Sequence, residues 1–151
     1  MLRKIARTVW DILPHSVLLK MIRVTQAKFT VSAAVVIVNE KGEVLVLNHA
    51  LRFNSGWGLP GGFMERGEQP EDGIRREIRE ETGIELDSLR LLSVRVIGSH
   101  IEMMFAAVSV GEPEVMSREI LELGWFTPET LPEKMSGGQK GLIGKVLNGE
   151  V

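Results

Sequence analysis

The sequence predicts an α/β domain in which helices pack on a mixed β-sheet. Two nearly continuous apolar runs, FTVSAAVVIV from Phe29 and IEMMFAAVSV from Ile101, read as strands buried on both faces. Between them lies one strong helical segment, opened by Pro70 and closed by Gly83. No internal repeat or low-complexity linker divides the 151 residues, a length that suits one domain with a real core.

Residues 1–28 stand apart. They carry Arg3, Lys4, Arg7, Lys20, Arg23 and Lys28 against Asp11, a balance of +5, whereas the rest of the chain sums to −7. Ile5, Val9, Ile12 and, past Pro14, Val17, Leu18, Met21 and Ile22 recur near helical spacing. The expectation is a basic amphipathic segment of two short helices, packed on the domain or on a second subunit. Charges and Pro14 exclude a transmembrane helix, and the apolar core and cleavage site of a secretory signal are missing. Weak contact with an anionic membrane surface is a further candidate role.

The body, residues 29–151, follows in order. Phe29 to Val38 is the first strand, Asn39-Glu40-Lys41-Gly42 a turn, and Val44 to Leu47 the returning strand of a hairpin. The stretch RFNSGWGLPGG, Arg52 to Gly62, holds four glycines, which allow tight turns and close backbone approach. Trp57 sits among them, as an aromatic plug or a stacking surface for substrate. The helix begins at Pro70, with Glu71 and Asp72 suited to its positive end. Gln69 is a poor cap, so another contact must fix the start. Ile74 and Ile78 face the core, and Gly73, unfavourable in mid-helix, implies close packing against the sheet. Leu89 to Ile97 and Ile101 to Val110 are strands joined by Gly98-Ser99-His100. Gly124 to Thr127 is a short strand, Pro128 to Leu131 starts a turn of helix, and Gly138 to Leu147 is a final amphipathic helix.

Chemistry concentrates on the Pro70 helix. Glu77, Glu80 and Glu81 fall within roughly a 100° arc of its surface. Like charges this close repel by a few tenths of a kcal/mol per exposed pair. A hard divalent cation such as Mg²⁺, which binds carboxylate oxygens with water and substrate phosphates, reverses that cost. The reading is a metal-dependent site that handles phosphates. With no cysteine, a disulfide scaffold, a cysteine nucleophile and a thiolate zinc site are excluded, and a reducing cytoplasmic setting is the expectation. His15, His49 and His100 have no metal-binding spacing and read as surface or polar-core residues. The acidic body argues against a large nucleic-acid footprint.

The segment from Gly62 to Ile84 resembles the signature box of the Nudix hydrolases, the MutT-like family. Gly62, Glu68, Arg76, Glu77, Ile78, Glu80, Glu81, Gly83 and Ile84 fill every fixed position of that pattern. Gly73-Ile74, where many members carry two alanines, is a mild departure. The resemblance reaches residues 29–147 through the order of the flanking elements. It implies an α/β/α sandwich around a mixed sheet. It also implies hydrolysis of a pyrophosphate linkage in a nucleoside diphosphate derivative, such as a nucleotide, a nucleotide sugar or ADP-ribose, with Mg²⁺ or Mn²⁺ held by the box.

On that resemblance, Glu77 and Glu81 are the foremost metal ligands, Glu80 a further ligand or a water-activating base, and a carbonyl of Gly61 or Gly62 another metal oxygen. Arg76 would hold the acidic cluster and Glu68 orient Arg76. Arg52 is a candidate phosphate contact and Trp57 a candidate substrate contact. Glu119 and Glu122 are later candidates for the general base, and Glu102 reads as solvent-facing. A homodimer is compatible with the sequence. The alternatives are a catalytically silent Nudix-fold nucleotide-binding module, disfavoured because no box glutamate is lost, and an RNA 5′-end pyrophosphohydrolase, which residues 1–28 keep open.

Overall fold

The computed structural model describes residues 13–51 and 56–151. Its scaffold starts from the first apolar run. Strand β1 (Thr30–Val38) lies in the interior of a seven-stranded sheet and pairs in parallel with β6 (His100–Val110), from Thr30 opposite His100 to Val38 opposite Val108. Continuous apolarity is what a strand covered on both faces requires. Ala33, Val35 and Ile37 point into one apolar layer, Ala34 and Val36 into the other.

The expected hairpin forms at its turn and then opens. Asn39 Oδ1 accepts the backbone N–H groups of Lys41 (3.0 Å) and Glu43 (2.9 Å), and Gly42 takes φ +76°. Strand β2 (Val44–His49) pairs with β1 only at Val44 opposite Val38. Beyond that pair it turns to β3 (Trp57–Gly58) and β7 (Ile120–Phe126), and β4 (Gly61–Phe63) takes its place beside β1. Strand β5 (Glu85–Ile97) pairs antiparallel with β6 and ends the sheet.

Three helices accompany the sheet among the described residues: α1 (His15–Thr25), α2 (Pro70–Thr82) and α3 (Gly137–Leu147). Ile74 and Ile78 of α2 are fully buried in one layer with Val35, Leu45 and Phe105. Ile143 of α3 is fully buried in the other with Val36, Val46 and Leu59. The result is an α/β/α arrangement around a mixed sheet.

Several sequence expectations are corrected by contacts distant in sequence. The strand expected from Leu89 begins at Glu85, and the one expected from Gly124 begins at Ile120, because β6 and β2 extend their pairing. Residues 128–131 form a turn and no helix; Thr130 donates its N–H to Thr127 O (3.1 Å) and its hydroxyl caps Thr127 N. Gly73 makes room for the loop before the helix, not for the sheet: a Cβ there would lie 2.5 Å from Met64 Cε and 2.9 Å from Glu68 Oε2. The first expected N-terminal helix lies outside the described residues. The second is α1, which buries none of its residues. No helix among the described residues is long and apolar enough to cross a membrane.

Candidate active site

Two glycines bring the site together. Gly61 has φ +142° and lies on β1 so closely that a Cβ would sit 2.2 Å from Ala33 O. At Gly62 a Cβ would sit 2.4 Å from the carboxyl carbon of Glu77. At Gly61 only hydrogen lets β4 lie against β1, and at Gly62 the missing side chain leaves the space that the Glu77 carboxylate occupies. Helix α2 is set in rotation by Ile74 and Ile78, and its ends are defined by Pro70 and by Gly83 at φ +73°.

That rotation grades the three glutamates by exposure. Glu81 is 6% exposed, Glu77 is partly covered, and Glu80 stands out in solvent. Glu81 Oε2 accepts the N–H of Gly61 at 3.3 Å, and its Oε1 lies 3.7 Å from His49 Nδ1. Burial raises the pKa of Glu77, against the lowering effect of Arg76. A carboxylate made costly by desolvation is one that a cation stabilises.

Arg76 ties the cluster to the preceding loop. Its Nε and Nη2 donate to Glu68 Oε1 (2.8 Å) and Oε2 (3.1 Å), a two-pronged contact. Its Nη1 donates to Glu77 Oε1 (2.8 Å) and Glu80 Oε2 (3.3 Å). The hydrogen bond to Glu68 is the main cause that raises the pKa of Arg76 above the already high value of an ordinary arginine. In return the Arg76 hydrogen bond, followed by the N–H of Glu65, holds Glu68 below the usual carboxylate range. Glu68 also accepts that N–H at 3.0 Å, which anchors the start of α2 where Gln69 makes no side-chain cap.

Together these elements line one cleft, formed by Glu77, Glu80, Glu81, Gly61, Gly62, His49, Leu51, Phe63, Ser117 and Glu119. Glu119 reaches it from the approach to β7, where its carbonyl accepts Ala50 N–H at 2.8 Å. Glu122, the other late candidate, is exposed on β7 opposite Asn48 and does not line the cleft. Trp57 lies apart from these carboxylates. It packs edge-on to Phe126, with centroids 5.5 Å apart, against the apolar layer on the face away from α2. It is the aromatic plug, and the cleft lining does not include it. Arg52 lies outside the described residues. Glu102 pairs with Arg95 on the neighbouring strand.

The carboxylates of Glu77, Glu80, Glu81 and Glu119 dominate the polar lining of the cleft, beside His49 and Ser117, and carboxylate oxygens are what a hard divalent cation takes. Among the described residues no three His, Asp or Glu side chains converge into a ready cage. Sequence reasoning missed His49, Phe63 and Ser117. No spacing signals them, since only the pairing of β2 with β7 and of β4 with β1 brings them to α2.

The model of the NUDIX domain family matches residues 28–145. The chain is 37% identical to a MutT-like protein of Streptomyces ambofaciens over 109 residues, 71% of this chain and 70% of that protein. It is 38% identical to the 8-oxo-dGDP phosphatase NUDT18 of Mus musculus over 103 residues, 64% of this chain but 32% of that protein. The chain thus spans about a third of the length of the mouse relative. Among solved structures, the MutT NUDIX hydrolase of Burkholderia pseudomallei superposes with a TM-score of 0.68 at 29% identity, covering 79% of this chain and 98% of that one.

Proposed function

The chain belongs to the NUDIX domain family and is a pyrophosphohydrolase of it, and from that premise we propose divalent-metal-dependent cleavage of the pyrophosphate linkage in a small nucleoside diphosphate derivative. One observation carries the reading. Glu77, Glu80, Glu81 and Glu119 face a single cleft beside the backbone of Gly61 and Gly62, while Arg76 is already engaged by Glu68. Such a cleft repels a pyrophosphate unless a cation joins it. The family generally uses divalent metal ions. Here Glu77, Glu80, Glu81 and a carbonyl of Gly61 or Gly62 would hold the ion, which when bound neutralises phosphate charge and makes water more acidic.

The chain's own residues do the rest by positioning. Arg76 pins Glu77 against rotation, and Glu68 pins Arg76. The Gly61 N–H holds Glu81 in its buried position. A water oxygen attacks one phosphorus and the bridging P–O bond breaks. Glu80 and Glu119 are the candidates to accept the proton of that water. The mouse relative is named for 8-oxo-dGDP. That supports a nucleoside diphosphate as the first substrate class to assay.

The test is a panel of nucleoside di- and triphosphates, nucleotide sugars, ADP-ribose and capped RNA, with Mg²⁺ or Mn²⁺, reading phosphate and nucleotide products. Metal-dependent turnover of a small nucleotide is expected. Turnover confined to capped RNA, or turnover unaffected by chelator, would overturn the proposal.

A further inference from the structure

Helix α1 presents an apolar surface that the rest of the described protein leaves uncovered. Val17, Leu19, Met21 and Ile22 are 38 to 50% exposed and Val24 is 82% exposed. With Leu18 they span roughly a 220° arc of the helix, and Lys20 and Arg23 occupy the remaining face. A helix with this pattern is buried in water-free surroundings or lies at an interface. Helix α1 buries no residue in its own chain.

Its charge indicates which interface. Lys20, Arg23 and Lys28 surround a concavity with Arg66, from the loop before α2, and Ile22 and Val24 share that surface. None of these four cations forms an ion pair among the described residues. The residues preceding α1 repeat the composition, with Arg3, Lys4 and Arg7 beside Ile5 and Val9. A second copy of the chain seated over this concavity about a two-fold axis would bring Lys20, Arg23, Lys28 and Arg66 of the two copies together. A planar array of anionic headgroups over acyl chains satisfies both halves of the surface at once.

We propose that α1 and Arg66 form a peripheral attachment surface for an anionic lipid bilayer. Apolar side chains of α1 enter the headgroup boundary, and Lys20, Arg23, Lys28 and Arg66 meet lipid phosphates. The acidic remainder of the molecule is repelled by the same surface, so the protein sits in one orientation.

Flotation of the full chain with phosphatidylcholine vesicles, with and without phosphatidylglycerol, tests this. Binding is expected only with phosphatidylglycerol and should disappear near 1 M salt, where screening shortens to about 3 Å. Lys20→Glu/Arg23→Glu should lower the vesicle partition coefficient by about tenfold or more. Met21→Ser/Ile22→Ser should lower it as well. Hydrolysis of soluble substrate should stay unchanged in both, which establishes that they fold. Four results would overturn the proposal: no vesicle binding, equal binding to neutral vesicles, wild-type binding by both variants, or preferential binding to single-stranded RNA. A dimer in analytical ultracentrifugation that Met21→Ser/Ile22→Ser dissociates would also overturn it, because a second copy would then be the occupant.

Discussion

A single methyl group at Gly62 would lie 2.4 Å from the Glu77 carboxyl carbon and 2.5 to 2.7 Å from its oxygens. Gly62→Ala should therefore displace Glu77 and raise the metal concentration needed for half-maximal rate. Its melting temperature should move little, since the cleft side is open. Titrating Mg²⁺ against initial rate for both proteins checks this. Glu81→Gln removes charge from a buried position held by Gly61 N–H. A fall in kcat of at least about 100-fold is expected, and wild-type kcat would remove Glu81 from the proposed ligands. Arg76→Lys keeps the charge but loses the two-pronged contact with Glu68. A lower urea midpoint than wild type is expected, with Glu77 less firmly held and kcat reduced.

Helix α2 was the most legible element, because its signals are local. Proline at the first turn, glycine at the last and isoleucines one turn apart require no knowledge of the rest of the fold. Gly83 adopts φ +73°, so Gly83→Ala should cost about 1 kcal/mol, measured as a shift in the urea midpoint. The same helix is tied to β5 by Arg79, whose Nε and Nη2 donate to Glu85 at 2.6 and 2.9 Å. The Arg79 hydrogen bond lowers the pKa of Glu85 from its ordinary 4.5. A lowered carboxylate contributes stability above its unfolded pKa and loses it as pH falls through the folded value. The stability gap between wild type and Glu85→Gln should thus shrink from pH 7 to about pH 3, as read from urea midpoints at each pH. The boundaries of β5 and β7 were less legible, because a strand ends where its partner ends, and partners lie far away in sequence.

Two apolar layers on opposite faces of the sheet hold the molecule together. Phe105 is fully buried in the layer beneath α2, and Phe105→Ala should cost about 3–5 kcal/mol of unfolding free energy. Fold class, helix placement and the box of Gly62, Glu68, Arg76 and the three glutamates follow from order along the chain, since each rests on spacing within a few turns. Cleft membership does not. His49 and Glu119 arrive through the β2–β7 ladder, Glu122 stays outside by its place on the same ladder, and Trp57 is drawn to Phe126 on the far face. Local spacing sets which side chains share a helix face. Strand pairing sets which distant segments share a cleft, and that depends on contacts with no fixed separation in the sequence.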